Sequence, residues 1–399
     1  MPRRVVIVTR RFWPLVGGAE RMTARLAAAL AARLDRVTIL TARWDRHWPE
    51  EIEHHGVRVV RLRQSQLRWW GTWQYMQAIS RWLTQQRDEV DLVYVSMLKH
   101  DAYAAIGFGD RHGVPVVLRA EGAGMTGDVC WQLEANFGYT IKRRCVEAAA
   151  VVAPSPAIER ELVAAGYRRD RIHYIPNAVP LPPPLTDDQR RQALAEARTA
   201  LASANPSLAV PNDAPLAVFT GRICEEKGLN ELVDAWSRVV QSRPDAHLML
   251  VGEGPLRAEL ALRLQSEELT ENVVLAGAFD DVEDFLRAAD LFVLPSWEEG
   301  LSLALLEAMA AELPVVVSDI AANRVVVDDQ RHGLLVPVRD VESLATAILR
   351  ILNDPAGAAQ FGASARQRVA DDFSLDRCVA SHLDLFAQVC PSRGSAPRP

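Results

Sequence analysis

Short apolar runs of three to five residues recur along the chain, and the segments between most of them are long enough to form helices. Each run is rich in valine, leucine or isoleucine and too short for a helix, which favours a strand buried on both faces. Alternation of buried strands with helices predicts parallel sheets covered by helices on both sides. The chain is therefore expected to be an α/β protein with doubly wound sheets.

The runs form two sets. The first set comprises Val5–Val8, Val37–Leu40, Val57–Val60, Leu92–Val95, Val114–Leu118 and Ala150–Ala153. The second set comprises Leu216–Thr220, His247–Val251, Val273–Ala276, Leu291–Leu294 and Val315–Val317. Between the sets, residues 176–215 are rich in proline and alanine, which predicts a stiff linker with an added helix. After Asp340 the pattern predicts helices, the last near Leu375–Val389, and then a disordered tail over 391–399.

Composition and charge narrow the class of protein. The five cysteines, at positions 130, 145, 224, 378 and 390, have no C-x-x-C spacing, which argues against a metal knot or a disulfide framework. The apolar run near the N-terminus is too short for a signal peptide or a membrane span, so a cytoplasmic protein is expected. The net charge of −6 is distributed unevenly along the chain. Residues 1–176 hold 26 basic and 18 acidic side chains, a balance of +8, which leaves −14 for the rest.

The stretch Pro295–Met309 contains the main candidate functional residues. Its carboxylates Glu299 and Glu307 are eight residues apart around a predicted strand-to-helix junction. Ser302 is the expected N-cap, so the amides of Leu303, Ala304 and Leu305 would face an anion. Carboxylates beside an anion repel it unless they hold hydroxyl groups that flank it. A nucleoside-diphosphate sugar has a diphosphate with hydroxyls on both sides, and it is the predicted ligand.

These residues resemble a known family. The segment E-E-G-L-S-L-A-L-L-E-A, which begins at Glu298, resembles the E-x7-E signature of the retaining glycosyltransferases of family four. Four further matches follow the family's order along most of the chain. They are Gly17–Glu20, Ile175–Asn177, Gly221–Gly228, which resembles G-R-x4-K-G, and Val251–Leu256, which resembles V-G-x-G-P-L.

The resemblance implies a GT-B fold, in which two Rossmann-like doubly wound domains face a central cleft. Residues 1–180, completed by the C-terminal helix 374–390, would bind the acceptor, and residues 181–373 would bind the nucleotide sugar. The implied reaction transfers a sugar to a saccharide or lipid-linked acceptor with retention of anomeric configuration. It requires no cofactor or metal, and no nucleic acid is expected as a partner.

The resemblance also implies a role for each residue that matches a family motif. Glu299 would hold hydroxyls of the transferred sugar, and Glu307 would hold the ribose. Arg222 and Lys227 would stabilise the diphosphate as it leaves, although the alternative for two cations so close together is a solvated loop. The other residues expected near the donor are Gly17, Gly18, Gly252, Phe279, Gly300, Leu301, Ser302 and Leu303. For Gly17 and Gly18 the alternative is a tight turn.

One position departs from the family. Glu121 stands where the family has a histidine that touches the donor sugar, and a carboxylate accepts hydrogen bonds but cannot donate as a neutral imidazole does. We predict that Glu121 lies near the donor sugar, while the alternative is a structural carboxylate paired with Arg119 or a helix start. His100 follows another strand and would compensate, unless it is structural. Because Glu121 replaces this histidine, the alternative that the protein is a non-catalytic module that binds a nucleotide sugar stays open.

Tryptophans are concentrated in residues 44–82, which hold six of the ten, at positions 44, 48, 69, 70, 73 and 82, among several arginines. Aromatic rings beside arginines favour a lipid interface. The residues Trp69, Trp73, Met76, Ile79 and Leu83 have helical spacing, and the simpler explanation for that stripe is a helix packed on its own sheet. Trp70 and Trp82 lie off the stripe. They are the predicted lipid contacts of a protein peripheral to an anionic membrane on its inner face.

Overall fold

The computed structural model describes residues 1–15, 17–65 and 67–390, so the predicted tail over 391–399 lies outside the described residues. The chain divides into two compact units. The first unit is Met1–Asn177 together with the C-terminal segment that begins at Leu375, and the second unit is Ala178–Ser374.

The first unit contains an eight-stranded sheet. Its strands are β1 (Arg4–Val8), β2 (Arg36–Arg43), β3 (Glu51–His54), β4 (Val57–Arg63), β5 (Leu92–Ser96), β6 (Val116–Arg119), β7 (Ala150–Ala153) and β8 (Ile172–Tyr174). They lie in the order β3-β4-β2-β1-β5-β6-β7-β8, and every pair is parallel except β3 with β4. The interior strands are buried on both faces, as the continuous apolar runs predict.

Helices cover this sheet. They are α1 (Gly18–Ala31), α2 (Arg68–Gln85), α3 (His100–His112), α4 (Asp128–Glu134), α5 (Gly138–Cys145), α6 (Pro156–Ala164) and, at the end of the chain, α15 (Leu375–Val389). The last helix joins the first unit through a buried hydrogen bond of 3.0 Å between the Tyr94 hydroxyl and His382 Nε2.

The orientation of α2 corrects the tryptophan assignment. Tyr75, Ile79 and Leu83 are fully buried, and Trp82 packs against the same core, so Trp82 is not a lipid contact. Trp69 and Trp73 are more than half exposed, although the stripe placed them against the sheet. Successive helical residues turn by about 100°, so Trp73 and Tyr75 point to opposite sides. The predicted stripe spans about 120° of the helix surface, and the core covers the side with Ile79 and Leu83 but not the side with Trp73.

The second unit contains a six-stranded sheet in which every pair is parallel. Its strands are β9 (Leu216–Thr220), β10 (His247–Val251), β11 (Val273–Gly277), β12 (Leu291–Leu294), β13 (Val315–Ser318) and β14 (Gly333–Val336). The order is β11-β10-β9-β12-β13-β14. The helices are α7 (Asp187–Ala204), α8 (Leu229–Ser242), α9 (Arg257–Ser266), α10 (Glu283–Ala288), α11 (Leu303–Ala310), α12 (Ala321–Val326), α13 (Val341–Asn353) and α14 (Pro355–Asp372).

Each predicted run contains or overlaps a strand, and the final helix, Leu375–Val389, lies where it was predicted. The helix expected in the linker is α7, which begins with a capping box in which Thr186 and Gln189 exchange side-chain and backbone hydrogen bonds. The sequence analysis missed β3, β8 and β14. The edge strand β3 reads Glu-Ile-Glu-His and is largely polar, and β8 has only the three residues Ile-His-Tyr, so neither has a continuous apolar run. The strand β14 reads Gly-Leu-Leu-Val and does have a short apolar run, which was a usable signal.

Both sheets have a point where the strand order reverses. From β1 the chain first builds outward to β2 and later returns to place β5 on the other side of β1. In the second unit β9 is likewise flanked by β10 and β12. Ligands of doubly wound sheets bind at the carboxyl ends of the strands beside such a reversal. None of the helices in the described part of the chain is long and apolar enough to cross a membrane.

Candidate functional site

Two loops meet at the strand reversal of the second unit. The loop after β9 carries Arg222 and Lys227, and the loop after β12 carries Glu299. Lys227 Nζ lies 2.5 Å from Glu299 Oε1, and the two side chains are 20% and 10% exposed. The sequence placed both residues in one site, and the structure brings them into direct contact.

The backbone joins these two loops. The amide of Trp297 donates to the carbonyl of Glu226 at 2.9 Å. Gly228 has a φ of 65°, and a Cβ there would lie 2.2 Å from the carbonyl oxygen of Pro295. Any side chain at position 228 would therefore separate the loops, which explains the glycine at the end of the G-R-x4-K-G segment.

Ser296 is a further member of the site that the sequence analysis did not single out. Its hydroxyl donates to Glu299 Oε1 at 2.8 Å, and its side chain is fully buried. The available signal was its position, three residues before Glu299 in a loop, where serine and carboxylate side chains can meet.

The loop after β12 leads into α11. Ser302 is the N-cap, as predicted, and its hydroxyl accepts from the amide of Leu305 at 3.3 Å. That hydrogen bond occupies one of the three amides that we had assigned to an anion. Gly300 is half-buried, Leu301 and Leu303 are buried, and Glu307 is a buried carboxylate on the second turn of the helix.

The remaining predicted donor residues of the second unit lie on neighbouring loops. Arg222 is exposed beside Gly221, and Phe279 follows β11 and packs edge-on against Phe285, with ring centroids 4.7 Å apart. Gly252 has a φ of 151°, and a Cβ there would lie 1.8 Å from the carbonyl oxygen of Gly221. This close approach of two loops accounts for the glycine at 252, and its contact with a donor stays a prediction.

In the first unit, Gly17 and Gly18 stand where α1 begins, after the first strand. Gly17 is the N-cap residue with extended backbone angles, and α1 starts at Gly18. Glu20 follows in the first turn, where Arg11 Nε lies 3.6 Å from Glu20 Oε1. Burial raises the pKa of Glu20, and the charge of Arg11 opposes that shift.

Glu121 lies in a buried polar cluster at the carboxyl ends of β5 and β6. Its Oε1 atom is 3.1 Å from Arg119 Nε and accepts from the Ser96 hydroxyl at 2.8 Å. Burial raises the pKa of Glu121 to about 7, although Arg119 and Ser96 stabilise the ionised form, and the nearby charge of Asp128 contributes to the increase. The ion pair that we offered as the structural alternative is therefore present, and contact with a sugar stays a prediction.

The cluster is fixed from both sides. Asp128 accepts from the amide of Glu121 at 2.8 Å and from the amide of Leu98 at 3.2 Å. Arg119 donates to the Asn177 side chain. His100, the first residue of α3, stacks edge-on against Trp131 at 5.1 Å, and burial lowers the pKa of His100 to about 4, so its imidazole is neutral at pH 7. Among the described residues, no three His, Cys, Asp or Glu side chains are grouped as metal ligands.

Two family models match the chain, one in each unit. Residues 16–181 match Glycosyltransferase Family 4, and residues 214–354 match Glycosyl transferases group 1. The second match contains the paired loops with Lys227, Ser296 and Glu299, and the first contains Glu121.

Named relatives agree with these matches. The chain is 30% identical over 302 residues to alpha-maltose-1-phosphate synthase of Mycolicibacterium smegmatis, which covers 70% of this chain and 74% of that enzyme. It is 30% identical over 174 residues to the Escherichia coli UDP-Gal:alpha-D-GlcNAc-diphosphoundecaprenol alpha-1,3-galactosyltransferase, which covers 42% of this chain and 45% of that enzyme. The chain spans about half the length of several other curated relatives that it matches.

The fold is also found among solved structures. Sucrose-phosphate synthase from Thermosynechococcus elongatus superposes with a TM-score of 0.79 at 23% sequence identity, and the match covers 96% of this chain and 98% of that one. At this identity the likeness concerns the fold.

Proposed function

The chain belongs to glycosyltransferase family 4 and has the GT-B fold, and on this premise we propose that it transfers a sugar from a nucleoside-diphosphate sugar to an acceptor. The observation that carries the proposal is the contact between Lys227 and Glu299 at the strand reversal of the second unit, beside the start of α11. A cation, a carboxylate and a helix N-terminus at this place suit a diphosphate whose neighbours are hydroxyl groups.

Each residue then has a role in donor binding. Glu299 holds hydroxyls of the transferred sugar, and Glu307 holds the ribose. Arg222 and Lys227 hold the diphosphate together with the backbone from Gly300 to Leu303. Negative charge grows on the diphosphate as the glycosidic bond breaks, so cations in contact with the phosphates stabilise the transition state more than the ground state. Because Arg222 and Lys227 neutralise the charge of the diphosphate, the proposed reaction requires no metal. We also propose that the transferred sugar retains its anomeric configuration.

The acceptor belongs to the first unit, and we propose that it is linked to a lipid at an anionic membrane surface. The E. coli relative is named for a diphosphoundecaprenol-linked acceptor. In this chain Leu67, Trp69, Trp70 and Trp73 are 70%, 58%, 52% and 51% exposed around the start of α2. Trp70 and Trp73 stack with ring centroids 4.8 Å apart. We call these four residues the α2 aromatic patch; large amphipathic rings at a protein surface favour the lipid headgroup region.

Donor-dependent release of a nucleoside diphosphate from the purified protein tests the proposal. Thermal shifts against UDP, GDP and ADP sugars first identify the donor, since a ligand present at about 100 times its Kd adds about 2.7 kcal/mol to stability. Turnover with that donor and an extracted lipid-linked acceptor supports a transferase. A thermal shift without release of nucleotide from any acceptor tested favours the non-catalytic binding module that Glu121 keeps open.

A further inference from the structure

The carboxylate of Glu299 is held through one of its two oxygens. Lys227 Nζ and Ser296 Oγ both reach Oε1, at 2.5 Å and 2.8 Å. The two donor side chains differ in conformational freedom. Lysine has a flexible stem with an ammonium group that reorients easily, and a bound diphosphate would compete for it. The serine hydroxyl has a single short side-chain bond and remains available whatever the lysine binds.

The backbone around Ser296 is fixed on both sides. Pro295, before it, packs its carbonyl against Gly228, and Trp297, after it, donates its amide to the carbonyl of Glu226. The serine side chain is fully buried two residues beyond β12. Its hydroxyl therefore has a defined position relative to the loop that carries Lys227.

A similar arrangement occurs at Glu121. In the first unit a buried serine, Ser96, and a cation, Arg119, both reach Oε1 of Glu121. In each case a serine and a cation share one oxygen of a largely buried glutamate. In both places the serine hydroxyl gives the carboxylate a second donor beside the cation.

We propose that Ser296 is a positioning residue that fixes the Glu299 carboxylate through Oε1 and directs Oε2 to a hydroxyl of the donor sugar. The inference rests on the proposed function and adds a residue to it. When the diphosphate binds, Lys227 turns toward the phosphates, and the Ser296 hydroxyl keeps Glu299 in place. Hydrogen bonds from a hydroxyl to a carboxylate are short and strong, so one of them is sufficient to hold the group.

This role predicts a separation between nucleotide binding and sugar transfer. A Ser296→Ala variant should bind the bare nucleoside diphosphate as wild type does, because the base, ribose and phosphate contacts remain. Its kcat/KM for the nucleotide sugar should fall by about tenfold to a hundredfold, the usual effect of losing a hydrogen bond to a charged group. Ser318→Ala is the matched control, since Ser318 is also buried and ends the neighbouring strand β13.

The experiment measures donor affinity and steady-state turnover for wild type, Ser296→Ala, Glu299→Ala, the double variant and Ser318→Ala. If Ser296 acts through Glu299, Ser296→Ala changes the turnover of the Glu299→Ala protein by less than about twofold. Additive losses in the double variant, or wild-type kcat/KM in a folded Ser296→Ala protein, overturn the inference. If the alanine variant does not fold, Ser296→Cys fills the same space with a weak donor and should show the same loss. If the wild-type protein shows no turnover with any donor, the proposed function itself is wrong.

Discussion

At the scale of single residues, the contact between Lys227 and Glu299 joins positions 72 apart in the chain. The pair is mostly shielded from water, so the charges interact more strongly than surface ion pairs do. Both groups are also the ones expected to hold the donor. The proposed function therefore predicts that donor binding exchanges this contact for contacts with phosphate and sugar.

Replacement of either partner should reduce turnover. We expect Lys227→Ala and Glu299→Gln each to lower kcat by about a hundredfold or more, the effect of removing one preorganised group from a transition state. Steady-state kinetics at saturating donor measure the change. Arg339→Ala is a suitable control, because Arg339 lies over the Trp297 ring at 3.8 Å at the edge of the same loops and has no assigned role in transfer. Wild-type kcat in a folded Lys227 or Glu299 variant would remove that residue from the site.

Glu307 should act on nucleotide affinity. Glu307→Gln replaces charge-assisted hydrogen bonds to the ribose with neutral ones, at a cost of about 1.5 to 3 kcal/mol. Calorimetry should therefore show about a tenfold to hundredfold weaker affinity for the nucleoside diphosphate. An unchanged affinity would mean that the buried carboxylate serves the packing of α11 instead.

Glu121 should make stability depend on pH. Burial raises its pKa from 4.5 to about 7 in the folded protein, so the folded state holds this proton more tightly than the unfolded chain. The contribution to stability is then fully present below about pH 4.5 and is lost as the pH rises through 7. Relative to Glu121→Gln, the wild-type free energy of unfolding should fall by about 3 kcal/mol over this range. Denaturant titrations at several pH values test the slope; a rising difference would mean that Arg119 keeps the carboxylate ionised.

At the scale of elements, α2 holds large apolar side chains in two environments, the core and the surface, and its sequence does not distinguish them. Its inner face contributes Tyr75, Ile79 and Leu83 to the core. Its first turns carry the exposed rings of the α2 aromatic patch. The patch is at the start of the helix, so substitutions there can alter surface properties without opening the core.

The α2 aromatic patch should bind anionic vesicles. A Trp69→Ser, Trp70→Ser, Trp73→Ser variant should remain in the supernatant when vesicles with anionic lipid are sedimented at low salt, while wild type sediments with them. High salt should weaken wild-type binding, because charges of the first unit are screened beyond about 8 Å at physiological ionic strength. Leu262→Ser removes an apolar side chain of the second unit that is more exposed than the three tryptophans, and it should leave binding unchanged. Wild type that stays in the supernatant would favour a soluble acceptor.

At the scale of the whole molecule, the strand order brings together the loops after β9 and β12, the two strands at the reversal, and these loops carry the residues that we propose for sugar transfer. We propose that the cations of one loop and the carboxylate of the other act without a metal. Turnover should accordingly be unchanged by EDTA, and proton NMR of the first-formed product should show the anomeric configuration of the donor. Loss of activity in EDTA that Mg²⁺ or Mn²⁺ restores would contradict the first expectation, and an inverted product would contradict the second.

Much of the fold follows from local sequence. Buried parallel strands require continuous apolar residues, so β9 to β13 are visible as runs, and Ser302 was identified as an N-cap because its hydroxyl acts within three residues. The family motifs likewise predicted Arg222, Lys227 and Glu299 as members of one site. The strands and the N-cap depend on neighbours in the chain, so the amino-acid pattern carries them, whereas the shared site of Lys227 and Glu299 was predicted from the resemblance to the family.

The tertiary structure decided what depends on distant neighbours. Helical spacing in α2 could not reveal which tryptophans face the core, because two faces of the helix carry large apolar side chains and only the position of the sheet selects one. The polar segment β3 is a strand because it pairs antiparallel with β4 at the edge of the sheet. Ser296 became part of the site because the loops after β9 and β12 pack together and fix its hydroxyl against a carboxylate that Lys227 also reaches. Contacts of this kind arise from chain topology, which brings distant loops to the same edge of a sheet.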